Sequence, residues 1–138
     1  MTGPLRESLL ALTEAHSVEQ LWALHTEKMA EYGFDRLIYG LTYFRNRTSL
    51  GDPADFILLT NHDRAYTDVF IGEGLYFHAP MVRWSLDNEG ACSWSFIAAK
   101  RAAGNLTKAE ARVLDFNRSM DVTAGYTISF RAVSLRSK

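Results

Sequence analysis

Four histidines, one cysteine, two serines around a tryptophan and a close pair of glycines are the residues of this chain whose types could do chemistry. His16, His25, His62 and His78 are scattered, with no pair four residues apart and no cluster of carboxylates beside them. The spacing that lets imidazoles share one ion is missing, so no metal site is expected. Ser93 and Ser95 flank Trp94 without the glycine framing of a nucleophile elbow. Gly72 and Gly74, in IGEG, follow a helical pattern rather than a strand, so they read as the close of that helix and not as a phosphate cradle. Cys92 has no basic neighbour in sequence to favour a thiolate and reads as a small buried hydrophobe. No nucleophile–base pair emerges, and neither an enzymatic activity nor a cofactor is expected.

The aromatic residues carry a different chemistry. His62, Tyr66 and Phe70 stand at i, i+4 and i+8 of one helical stretch and so form a stripe along one face. Trp94 alternates with Cys92 and Phe96 in CSWSF, which as a strand sets those three on one side. With that helix packed on that side of a sheet, the rings converge on one cavity; the same stripe also serves as plain core. A buried imidazole or phenol requires a hydrogen-bond partner, and a ligand can supply it.

The elements that must position these rings follow from the rest of the chain. Its 138 residues, 47% apolar and 22% charged, suffice for one domain with a proper core. Fifteen basic and sixteen acidic side chains leave a net charge of −1 with no like-charge block, so no footprint for nucleic acid or an anionic membrane is present. Apolar runs fall short of the roughly twenty residues of a membrane span, and Glu7 and Glu14 interrupt the N-terminal one. A single cysteine excludes an internal disulfide and a cysteine zinc site, and a reducing cytoplasmic setting is expected.

Leu5, Leu9, Leu10 and Leu12 give one face to a first helix with Pro4 near its start. A second helix over 17–33 opens on Ser17 with Gln20 as a capping box, turns Val18, Leu21, Leu24 and Trp22 inward, and stops at Gly33. Residues 36–44 and 56–60 read as strands joined by a turn around Gly51 and Pro53. Helices are expected over 63–74, over 80–88 behind Pro80, and over 106–120. The last has a capping box from Thr107 and Glu110 and buries Val113, Leu114 and 116–120. CSWSF is a third strand and a fourth begins near Tyr126. This order predicts an α+β fold, a three-layer α/β/α sandwich with a central antiparallel sheet flanked by helices. A single domain over 1–138 is expected, and its closing strand calls for another chain to cover it or for more of its own domain beyond.

Taken together, TNHDRAYTDVFIGEGLYFHAPMV, CSWSF and AGYTISF resemble the N-terminal signal-binding domain of LuxR-type quorum-sensing transcription regulators. The spacing agrees without gaps from Asn61 through Trp94, and the element order agrees over essentially the whole chain. Each motif alone is weak; the ordered set is fairly specific. The resemblance implies a cytoplasmic sensory domain over 1–138, part of a longer regulator. The remaining C-terminal part and a helix-turn-helix lie outside this chain, so DNA is reached only through them, usually as a homodimer. A natural stand-alone sensor, or one that antagonises full-length relatives by pairing with them, is the other account.

The family's pocket binds N-acyl homoserine lactones. On that resemblance, the tyrosine that bonds the acyl carbonyl falls on His62, the tryptophan that donates to the lactone carbonyl on Tyr66, and a further tyrosine on Phe70. The aspartate that accepts the ligand's amide N–H falls on Ala79, while Pro80, Trp94, Gly125 and Thr127 match and Ser129 replaces a proline. Tyr43 would close the site from the first strand. Ala79 accepts no hydrogen bond, and an unpaired amide N–H costs about 1–3 kcal/mol, roughly ten- to hundredfold in affinity. The expected ligand is therefore a small, fairly apolar signal molecule, a lactone held loosely or something else. The alternative is a protein-interaction or dimerisation module with a filled or vestigial pocket that modulates full-length regulators.

Overall fold

The computed structural model describes residues 3–42 and 49–130. The described residues form six α-helices: α1 (Pro4–Thr13), α2 (Val18–Glu31), α3 (Arg64–Phe70), α4 (Pro80–Asp87), α5 (Ser95–Ala102) and α6 (Lys108–Ser119). Four strands accompany them, β1 (Ile38–Leu41), β2 (Ile57–Thr60), β3 (Gly90–Ser93) and β4 (Tyr126–Ser129). The fold is α+β, as the element order predicts. The described strands pair as two small antiparallel sheets, β1 with β2 and β3 with β4, and no single central sheet is found among them. The chain divides into two compact units, Met1–Leu41 with Phe56–Asp63 and Thr42–Asp55 with Arg64–Lys138.

In the first unit, Pro4 opens α1, where its missing N–H leaves no bond unmade. The Ser17 hydroxyl caps α2 by accepting from Gln20 N at 3.0 Å. The reciprocal bond is displaced by one residue from the expected box: Gln20 Oε1 takes the N–H of His16 at 2.9 Å, not that of Ser17. Gly33, at φ +92°, ends the helix as expected. Neither helix buries a residue. Leu5, Leu9 and Leu10 are 41–48% exposed, and on α2 Val18 and Leu21 lie outward while Trp22 and Leu24 are half-buried. The expected inward faces are thus corrected: apolar spacing marks a stripe, but not what covers it. β1 and β2 run antiparallel from Ile38↔Thr60 to Leu41↔Ile57. Asn61 clips the end of this hairpin, accepting from Leu37 N at 2.7 Å and donating to the Asp35 carbonyl at 2.9 Å.

Among the described residues the second unit holds the buried side chains. α3 is shorter than the expected 63–74 and buries Tyr66 and Phe70. Its end requires glycine at 72, because a Cβ there would fall on the Asp68 carbonyl oxygen. Gly74, at φ +80°, then starts a 3-10 turn over Leu75–His78 that puts Tyr76 at 2% exposure. Proline opens α4, which buries Pro80, Met81 and Leu86. β3 pairs with β4 from Gly90↔Ser129 to Ser93↔Tyr126, and the Ser129 hydroxyl donates to the α4 carbonyl of Ser85 at 2.8 Å. The strand expected over CSWSF ends at Ser93. Ser95 already begins α5, so Cys92, Trp94 and Phe96 do not share a strand face. α6 carries the full capping box of Thr107 and Glu110 and buries Val113 and Asn117, while Leu114, Phe116 and Met120 are half-buried and Arg118 and Ser119 exposed.

Candidate functional site

Tyr66 and Phe70 sit four residues apart on α3, and their rings stack with centroids 5.3 Å apart. A second ring, Phe116 of α6, stacks on Tyr66 at 5.4 Å. Three rings in offset contact form a rigid wall whose one polar tip must find a partner. The Tyr66 hydroxyl finds it within the protein, donating to Asn117 Oδ1 at 2.8 Å. Asn117 is only 2% exposed.

Trp94 stands at the junction of β3 and α5, capping the helix with φ −72° and ψ 5°. Its indole N–H donates to Thr127 Oγ1 at 2.9 Å, and its backbone N–H donates to the Gly125 carbonyl at 2.9 Å. Gly125 lies so close beneath the indole that a Cβ would come within 3.1 Å of the ring. The Gly-x-Thr motif and the tryptophan therefore act as one piece: the glycine makes room for the ring and the threonine fixes its edge.

Beside Trp94 opens a cleft of about 140 Å³, lined by Met81, Ile97, Leu114 and Val122 with Asn117 and Arg118 among the polar contributors. Asn117 thus joins the two groups, bonded to Tyr66 and bordering the same space as Trp94. α5 and α6 are tied by Lys100–Glu110 at 3.1 Å and Arg101–Asp115 at 2.8 Å. Burial raises the Glu110 carboxyl, but hydrogen bonds from the Thr107 backbone and Lys100 outweigh it and hold the group below its ordinary value of 4.5.

Ala79 is fully buried at the N-cap of α4 and contributes no capping side chain. Its carbonyl accepts from Val82 N and Arg83 N at 3.1 and 2.9 Å. Position 79 is next in sequence to Pro80 and two residues from cleft-lining Met81, yet it presents only a methyl group. His62 belongs to the first unit, half-buried, with its backbone N–H on Thr60 Oγ1 at 3.0 Å. Burial, then the Arg36 cation, hold its imidazole below the usual 6.5 against the pull of Asp35 and Asp63. Tyr43 lies outside the described residues. Of the expected set, then, Tyr66 is joined to Phe70 and Trp94 to Thr127.

The sequence reading placed Asn117 within the buried stretch 116–120 but gave it no polar role, although an amide on the apolar face of α6, four residues from Val113, is a visible break in the stripe. Cys92, expected to be buried, is half-buried, its Sγ 3.4 Å from the Ser93 carbonyl. Among the described residues no three potential ligands gather around a metal position. None of the described helices is long and apolar enough to cross a membrane.

An α+β chain with a small, mostly apolar cleft beside one tryptophan and a few convergent polar groups has the build of a small-molecule-binding domain. The autoinducer binding domain model matches residues 17–137, and the chain belongs to that family, the N-terminal domain of LuxR-type regulators. It is a family of ligand-sensing regulatory domains, tied to quorum sensing and transcription regulation, and not a family of enzymes. Comparison with curated proteins gives no match, and comparison with solved structures gives none either.

Proposed function

We propose that this chain senses a small signal molecule for a LuxR-type transcription regulator, with a specificity moved away from the usual acyl homoserine lactones. The observation that supports this reading is the full burial of Ala79, a methyl group at the position to which the resemblance assigns the acceptor for the ligand's amide N–H. Trp94 borders the cleft, and Tyr66, Phe70 and Thr127 join it as ligand contacts carried over from the resemblance. As in the family, the domain would act as a homodimer and reach DNA through a separate domain. The test restores the acceptor. Ala79→Asp should strengthen binding of an acyl homoserine lactone by roughly ten- to hundredfold in a calorimetric titration. No gain, or a loss, would count against the placement of position 79 in the site.

One observation favours a second reading. A cleft of about 140 Å³ is small beside the roughly 300–1,000 Å³ of ordinary ligand pockets, as a partly filled pocket in an interaction module would be. Titration of a library of small apolar amides and acids separates the two, since the module binds none of them.

A further inference from the structure

The side chain of Asn117 is 2% exposed, and its Oδ1 accepts the Tyr66 hydroxyl. Its amide nitrogen can donate two hydrogen bonds, and among the described residues no acceptor receives either. The same residue borders the cleft beside Trp94. The amide nitrogen keeps solvent contact through that cleft, where it offers a donor to whatever acceptor enters.

Size and charge narrow what that something is. The cleft measures about 140 Å³, close to a cavity of about 150 Å³ that holds one benzene ring. Its apolar walls, Met81, Ile97 and Leu114, suit a ring. Its charged lining is cationic only: Arg101 and Arg118, with no carboxylate among the lining residues. Asp115 pairs with Arg101 at 2.8 Å, whereas Arg118 is exposed and has no carboxylate partner among the described residues. A guanidinium and an amide N–H at one apolar cleft suit a carboxylate, which accepts from both.

We propose that this cleft is a binding site for a compact single-ring carboxylate. The ring lies against Met81, Ile97 and Leu114, and the acid accepts from Asn117 Nδ2 and from Arg118. This deepens the sensory reading above and rests on it only for the ligand being a signal. The choice of an acid is then carried by the Tyr66–Asn117 pair and Arg118, residues on α3 and α6.

The test titrates the full chain with benzoate and with benzamide, following the Asn117 side-chain amide by ¹⁵N NMR. Benzoate should move that resonance, with a dissociation constant of roughly millimolar order, and benzamide should bind about tenfold more weakly. Arg118→Gln should bring benzoate down to the level of benzamide while leaving benzamide unchanged. Because Arg118 is exposed, that variant keeps the fold intact. Asn117→Leu, followed through the Trp94 indole N–H because its own amide is gone, should weaken both probes about tenfold. Benzoate that leaves the Asn117 resonance unmoved, or that binds Arg118→Gln as well as the unaltered chain, overturns the proposal. If the lactone gains on Ala79→Asp while benzoate never binds, this inference falls and the sensory reading stands. If benzoate binds as described and the lactone shows no gain, this site stands and the role given to position 79 falls.

Discussion

At position 125 the requirement is space. The Gly125 backbone lies under the Trp94 indole, whose ring cannot bend away as a flexible chain would, and a methyl group would come within 3.1 Å of it. Gly125→Ala should therefore lower stability by about 1–3 kcal/mol in urea unfolding, and the loosened indole should lose its bond to Thr127. Unaltered stability would show that the ring shifts freely. His62 sets a second expectation. Its folded-state pKa lies below 6.5 through burial and the Arg36 cation, so the fold favours the neutral imidazole. The stability this contributes is present above pH 6.5 and is lost as pH falls through the lowered folded value. His62→Gln should thus flatten the melting temperature against pH just below 6.5; an unchanged slope would assign that slope to other groups. Helical spacing grouped Tyr66 with Phe70, and the family resemblance singled out Trp94 and Thr127 without pairing them. Neither gave Asn117 its role, because the role of an amide depends on the hydroxyl 51 positions away that occupies its oxygen.

Local signals were legible in proportion to how local their physics is. The capping box at Thr107 and Glu110 closes within four residues, and both of its bonds form, at 3.0 and 3.1 Å. Thr107→Ala should cost about 1 kcal/mol of stability. Glu110 adds a pH dependence to the same turn. Its carboxyl is held below 4.5, so its contribution is present above pH 4.5 and fades as pH falls through the lowered value. The gap in melting temperature between the unaltered chain and Glu110→Gln should accordingly close in acid; a gap constant with pH would exclude an ionic contribution. α5 was less legible. Alternation in CSWSF over five residues imitates a strand, and only the register against β4, which ends at Ser93, shows where pairing stops. Past that point the helix formers Ala98, Ala99, Lys100 and Arg101 decide the backbone. Hydrogen bonds with Gly125 and Thr127 then hold Trp94 at the junction, which no short window of sequence reveals.

For the molecule as a whole, the α+β class and the β1–β2 hairpin follow from the order of elements, while the pairing of β3 with β4 does not. Which strands meet depends on contacts across many tens of residues, as in Gly90↔Ser129. Burial is distributed unevenly. Among the described residues every buried one, from Tyr66 to Ser129, belongs to the second unit, and α1 and α2 bury none. Protection against hydrogen exchange follows buried contact. Amides of α1 and α2 should therefore exchange well before those of α6 and the β3–β4 ladder when peptides are followed by mass spectrometry. Equal protection across the chain would mean that the first unit is stabilised by more than its described packing.

The glycine that closes α3 has an evolutionary corollary. With the Asp68 carbonyl oxygen seated where any side chain would begin, codon 72 has no neutral neighbours. Random mutagenesis under selection for folded protein should recover glycine there almost without exception. Codon 40, where an added carbon would meet only the tip of Leu58 at 4.0 Å, should drift.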